Sequence, residues 1–309
     1  MGDILKSVPL ATPQPTAPQD PSGRDRLLHG LSSLGRRLGK LFSDMLRSKS
    51  ATIGVCIILF WIMAAVAAPL ISPYSPTGLV GKRLQSPSGE HWLGTDHLGR
   101  DVLSRLFWGS RVVLQLAPLS VFLGIMIGAP LGLVSGYLGG IIDTVIMRVG
   151  DILLSFPTTL LYILIIATYG ASSLVVVISV AIGTVPAITR IVRSLVMDER
   201  TRDYVSAARL RGEKLWYILF REILPNASAP IIVDTCIRIG YAVMAIGSLG
   251  FLGLGIPPPR PDWGGMINEG RAWIFMQRWT VLAPAAALSS LVIGLNMIAD
   301  GIREIEQQR

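Results

Sequence analysis

Charge is what this sequence has least of. Only 16% of its 309 residues are Asp, Glu, Lys or Arg, against roughly 25% in an ordinary soluble domain. The shortage is concentrated: residues 51–71, 112–136 and 152–189 carry no charge at all. Runs of that length exclude a soluble globule and point to helices crossing a bilayer, at about 20 residues per crossing. They are continuous rather than alternating, which excludes a barrel of ~10-residue strands. Cysteine is scarce as well. Cys56 and Cys236 both fall in apolar runs, with no Cys-x-x-Cys spacing, so they read as small buried hydrophobes and not as a disulfide or metal site. The three histidines, at 29, 91 and 97, all lie outside the apolar runs. No Ser-His-Asp or Cys-His set emerges, so a membrane hydrolase lacks its nucleophile and base. The stretch GRRLGKL at 35–41 imitates a phosphate loop, but it is one residue short and Leu41 stands where Ser or Thr would hold magnesium. No cofactor is expected on this chain, and any ATP hydrolysis belongs to another polypeptide.

What is present divides readily. Residues 1–25 are rich in Pro, Gln, Ser and Thr, and residues 26–49 are basic; together 1–50 read as a tail, partly disordered, that approaches the bilayer with its Lys and Arg. Apolar spans follow at about 51–71, 112–136, 152–169, 174–196, 229–255 and 280–299. Pro69, Pro73 and Pro76 are expected to end the first span, because proline lacks a backbone donor. Asp143, Arg148 and Asp151 mark a charged bend, and Gly170-Ala171-Ser172-Ser173 splits the longest run into a hairpin. The fold class is therefore all-α, a polytopic membrane protein of about six helices. With the N-terminus inside, 19 of the 28 Lys and Arg fall on the inner side and 8 on the outer. That bias places both termini in the cytoplasm and accounts for the net charge of +8 without nucleic acid.

One segment breaks the apolar pattern on the inner side. The island DYVSAARLRGEKLWYILFREILPN, residues 203–226 within a loop of about 198–226, is strongly basic. Read as a helix, Asp203–Leu210 brings Tyr204, Ala207 and Ala208 to one face by i, i+3, i+4 spacing. Gly212 permits a chain reversal. A second segment carries Trp216, Ile218, Leu219 and Ile223, and Pro225 is expected to end it. Two readings are open: an amphipathic helix resting on the membrane surface, or a short docking element for a cytosolic partner. The alanines favour docking, since a lipid-facing helix would carry bulkier side chains.

At this point four stretches carry a family resemblance. DYVSAARLRG followed by REILPN resembles the EAA loop of bacterial ABC importer permeases. HWLGTDHLGRDVLSRLFWGSR (91–111), VSGYLGGIIDTVIMRVGDILLSFPTTLL (134–161) and FLGLGIPPPRPDWGGMINEGR (251–271) are similar to the dipeptide, oligopeptide and nickel branch, as its C-type permease. The resemblance spans about 43–303 and implies a multi-pass protein of the bacterial inner membrane. It further implies half of a translocation pore, completed by a second permease subunit, two ATP-binding subunits that use ATP and magnesium, and an extracytoplasmic substrate-binding protein. It assigns Asp203, Tyr204, Ala207, Ala208, Arg209, Gly212, Leu224 and Pro225 to contact with the ATP-binding subunits. Gly94, Thr95, Asp96, Gly99, Arg100 and Asp101 form the motif of the outer loop. Departures are Ser206 for the first Glu of the loop, Glu222 for a His, Ile246 for a Glu in span five, and the ending EIEQQR.

Two further groups bear on function. Asp234 and Arg238 lie one turn apart within span five, as an intramembrane ion pair or a pathway element. His91, Asp96, His97 and Asp101 are metal-ligand types, but their spacing is not that of a helical pair, and a structural loop or a binding-protein contact is the stronger reading. A secondary transporter, with the island as a surface helix, would prefer internal repeats and carboxylates at mid-membrane, and neither stands out.

Overall fold

The computed structural model describes residues 48–307. The expected tail, up to residue 47, and the phosphate-loop imitation lie outside the described residues. Within them the chain is helical, with one isolated antiparallel bridge, Thr95–Asp101, and no strand.

Helix α1, Lys49–Ile71, is capped by Ser48 and contains Pro69. The helix ends at Ile71, with Pro69 inside its last turn. The stop falls at Ser72, which is extended at φ −71°, ψ 116°, the conformation favoured for a residue preceding a proline. Helix α2, Val102–Leu138, starts ten residues before the expected span, because Asp101 caps it by accepting from the Ser104 N–H. Its 37 residues reach about 55 Å at 1.5 Å per residue, well beyond a hydrocarbon core of about 30 Å.

The expected unbroken span 152–169 is not there. Helix α3, Gly140–Ser155, and helix α4, Thr158–Tyr169, meet at a bend of 85°. Phe156 precedes Pro157, which favours extended backbone, and sits at φ −85°, ψ 136°. Asp143, Arg148 and Asp151, expected in a bend, sit inside α3. Helix α5, Ser173–Glu199, follows. Beyond the island, helix α8, Ser228–Phe251, ends earlier than expected, and α9, Trp263–Gly270, precedes α10, Trp279–Gln307. Helices α1, α2, α5, α8 and α10 are long and apolar enough to cross a membrane, and the bent pair α3–α4 adds a sixth if taken as one span.

Helices α2 and α5 form the most extensive pair among the described residues. Gly124, Gly128, Gly132 and Gly136 recur every fourth residue along α2 and face α5. A Cβ added at Gly132 would lie 2.6 Å from the Thr189 carbonyl oxygen, and one at Gly136 would lie 2.7 Å from that of Arg193. Lipid gives helices no hydrophobic drive to associate, so backbone contact through small residues supplies the packing. Thr189 Oγ1 donates to the Gly128 carbonyl at 3.2 Å across the same seam. Toward the other end of the bundle, Trp263 is fully buried, meets Trp61 edge-on at 4.8 Å and donates from Nε1 to the Leu106 carbonyl. This core connects α9 to α1 and α2.

Candidate docking site

The island folds as two helical pieces against the ends of α2 and α5. Helix α6 is Asp203–Leu210. Helix α7 runs from Leu215–Tyr217 through a π-helical turn, Ile218–Ile223, to Leu224–Asn226. Val205 and Ala208 are fully buried and join Ile218, Leu219 and Ile223 in a cluster with Leu133 of α2 and Val192 and Val196 of α5. Ala208, expected on the contact face, is therefore an inward residue. Its small side chain lets α6 lie close on α7. Leu224 packs against the same cluster. Pro225 does not end the helix; the chain stays helical through Asn226 and breaks at Ala227, φ −82°, ψ 0°. A proline ring clashes with the carbonyl four residues back, and the wide π turn before it re-routes that backbone, with Leu224 N–H reaching Leu219.

The outward face of α6 is made by Asp203, Ser206, Ala207 and Leu210, at i, i+3, i+4 and i+7, all exposed. Leu210 is 91% exposed. Neither Ser206 nor Leu210 was singled out from the sequence as a contact, although the helical period from Asp203 contained both. Gly212 closes α6 in the left-handed region at φ +74°. The Gly212 N–H bonds to Arg209 and the Glu213 N–H to Ala208, which is a Schellman cap. A Cβ there would touch nothing within 4 Å, so the glycine serves the reversal and not a close approach.

Polar contacts hold the island to the bundle. Tyr204 donates to Glu199 Oε2 at 2.5 Å, and burial, then that bond, pushes its phenol up to about 12. Arg209 donates to the Tyr137 hydroxyl at 2.9 Å and lies 4.8 Å over its ring. Arg200 reaches the Gly136 carbonyl at 3.0 Å. Within the island, Glu222, a departure from the family pattern, accepts from Arg211 at 3.2 Å and ties its two pieces together.

At the far end of α2 the loop motif forms a buried knot. Asp96, Arg100 and Asp101 are each at most 5% exposed. Asp96 Oδ1 accepts from the Leu98 and Arg100 N–H groups, and its Oδ2 receives the Arg100 and Arg105 guanidiniums. Both arginines also bind Glu269, at 2.6 and 2.8 Å. Burial alone would raise the Asp96 carboxyl, but the Arg100 N–H and the two guanidinium charges outweigh it and hold it below its usual value. Asp101 adds a 2.9 Å contact to His91 Nδ1. Thr95 hydrogen-bonds Gln85 and Lys82, and Gly94 and Gly99 take positive φ. Asp96, His97 and Glu269 offer ligand atoms within 4.8 Å of one another, but the same carboxylates are already held by two guanidiniums, whose charge opposes a cation. Arg105 and Glu269 were missed from the sequence, since 164 residues separate them. Next to this knot, Asp262 caps α9 through Gly265, and burial pushes its carboxyl up to about 6 against the N–H groups of Gly265 and Gly264.

Residues 128–309 match the family model described as the inner membrane component of binding-protein-dependent transport systems, and residues 39–87 match the N-terminal transmembrane domain of oligopeptide transport permease C. The chain belongs to this permease family. It is 40% identical over 298 residues to the dipeptide transport system permease protein DppC of Alkalihalophilus pseudofirmus, covering 96% of this chain and 95% of that protein. It is 39% identical to the glutathione transport system permease protein GsiD of Pectobacterium atrosepticum, covering 84% and 87%. Among solved structures, the inward-facing MetNI methionine ABC transporter superposes with a TM-score of 0.54 at 20% identity, over 65% of this chain and 96% of that one, which shows the fold alone.

The permease is thus the membrane subunit of an ABC importer, multi-pass in the inner membrane, and a transport component rather than an enzyme. The secondary-transporter alternative gives way to that family. Asp234 and Arg238 pair within α8 at 2.5 Å. Ile246, where relatives of this branch were expected to carry Glu, is 1% exposed in the main core.

Proposed function

We propose that the permease forms half of a translocation pore for peptides or related small solutes. A second permease subunit completes the pore. Two ATP-binding subunits, using ATP and magnesium, dock on the island, and an extracytoplasmic substrate-binding protein delivers solute at the end bearing the Asp96 loop. Both termini are cytoplasmic, the tail of 1–50 lies below the bilayer, and the six crossings are α1, α2, the bent pair α3–α4, α5, α8 and α10. The names of the relatives support the peptide class.

One observation carries the docking assignment. Helix α6 is fixed to the bundle on one face and leaves Asp203, Ser206, Ala207 and Leu210 bare on the other. ATP binding would close the partner subunits, and the island would pass that motion to α5 and α8 as a rigid lever between the two states of alternating access. Asp234 and Arg238 are paired within α8, which supports a structural rather than a pathway role. The test is co-purification from an N-terminally tagged chain. A second permease and an ATPase should accompany the native protein. Ala207→Glu with Leu210→Glu, both on the bare face, should lose the ATPase and keep the second permease. Retention of the ATPase by that variant would overturn the docking site.

A further inference from the structure

At the Asp96 end of α2, a cavity of about 410 Å³ opens between α2, the chain after α1 and the proline-rich loop before α9. Its lining includes Thr77, Trp108, Arg111, Gln115 and Arg260. The Arg111 guanidinium lies 5.0 Å over the Trp108 ring. Neither Arg111 nor Arg260 forms an ion pair among the described residues, whereas the nearby Arg100 and Arg105 are both neutralised by carboxylates. Two uncompensated guanidiniums converging on one cavity form a receptor for an anion.

The position narrows the anion's source. Arg111 is the last charge before the uncharged run that begins at Val112, so the cavity sits where α2 passes from water into hydrocarbon. Tryptophan is enriched at that level. Continuing down the same face of α2 from Gln115, Leu119, Phe122 and Met126 are 46%, 54% and 54% exposed. Their spacing of four, three and four keeps them in one stripe. A cationic, aromatic-walled cavity thus stands directly above an apolar track. A soluble anion would use the first and leave the second bare. An amphiphile uses both.

We propose that this cavity binds the phosphate headgroup of an anionic phospholipid, with an acyl chain lying along Leu119, Phe122 and Met126. The headgroup phosphate accepts from Arg111 and Arg260, and Gln115 supplies a further polar contact at the rim. A lipid held here would brace the proline-rich loop against α2.

The test uses the full chain with whatever subunits co-purify, in detergent, and reads bound lipid by native mass spectrometry. The probes are phosphatidylglycerol, phosphatidylcholine and inorganic phosphate. Other basic segments also attract anionic lipid, so the readout is the difference between wild type and Arg111→Gln/Arg260→Gln. The double variant should bind phosphatidylglycerol about thirtyfold more weakly, at about fivefold for each arginine near an anionic headgroup. Phosphatidylcholine, whose ammonium offsets its phosphate charge, should lose much less, and Arg111→Lys/Arg260→Lys should keep most of the preference. Equal phosphatidylglycerol binding by wild type and the Gln variant overturns the proposal. So does wild-type binding that shows no headgroup preference. Wild-type adducts that millimolar inorganic phosphate displaces completely point to a soluble anion and overturn the lipid assignment, and that measurement needs no variant to fold.

Discussion

Leu210 offers the sharpest separation of docking from folding. In the chain alone its side chain is 91% exposed, so truncation to alanine removes almost nothing from the permease fold, and a surface change of this kind stays within about 0.5 kcal/mol. If the bare face of α6 is buried by an ATP-binding subunit, Leu210→Ala deletes three buried carbons. At about 0.8 kcal/mol per carbon, the loss is about 2 kcal/mol, or roughly thirtyfold in the dissociation constant. Ala208 makes the opposite case. It is fully buried against α7, and Ala208→Leu overfills that contact at a cost of about 1–3 kcal/mol in stability. The assay pairs the affinity of the purified ATPase for the permease in detergent with thermal unfolding of the permease alone. Leu210→Ala should weaken the first and leave the second, while Ala208→Leu should lower the second. An unchanged ATPase affinity for Leu210→Ala, with a folded permease, would refute the assignment of this face.

Other consequences follow from single residues. Gly212→Ala meets no steric obstacle but must hold φ +74°, costing about 1–2 kcal/mol; Asn should recover part of it, and the number of ATP molecules hydrolysed per solute imported should rise in the order Gly, Asn, Ala. Gly132→Leu drives a side chain into the α5 backbone, 2.6 Å from the Thr189 carbonyl, so the variant should lose stability by more than about 3 kcal/mol and fail to accumulate in the membrane on an immunoblot. Arg105→Met leaves Asp96 and Glu269 with one guanidinium in place of two, a loss of about 3–5 kcal/mol, visible as a lower unfolding temperature. Asp262 carries a pH effect: its folded value, raised to about 6 from 3.8, means the folded state holds a proton that the unfolded state has released. Stability from this group is full below about 4 and is lost as pH rises through about 6, at roughly 3 kcal/mol in total. Asp262→Asn keeps an acceptor for the Gly265 N–H and cannot ionise, so its unfolding temperature should exceed wild type at pH 7.5, with the gap closing at pH 4.5. A constant gap across that window would count against the buried carboxyl.

Much of the permease was legible in one dimension because lipid punishes exceptions. A charge or an unpaired backbone group in hydrocarbon costs so much that the uncharged runs had to be helices. The bounds of α6 could be read for a similar local reason: Asp203 in its first turn, Arg209 in its last and Gly212 beyond it are the chemistry of a short capped helix. Other features were misread where two local signals compete. Pro225 read as a stop, yet it is absorbed behind a π turn. Phe156-Pro157 lay inside an uncharged run and passed as part of a span, although a residue before proline is pushed out of the helical region.

By itself, the sequence determined the class of solvent, the helical content, the island and the family, because each depends on composition or on neighbours within a few residues. Only the tertiary structure decided which face of α6 is free. Ala207 and Ala208 are adjacent and chemically identical, and one is bare while the other is buried because α7, the end of α2 and the end of α5 occupy one side of that helix. The same holds for Arg105 with Glu269 and for Arg111 with Arg260. Whether an arginine is neutralised or left to attract an anion depends on distant segments meeting in space, and no local period encodes that meeting.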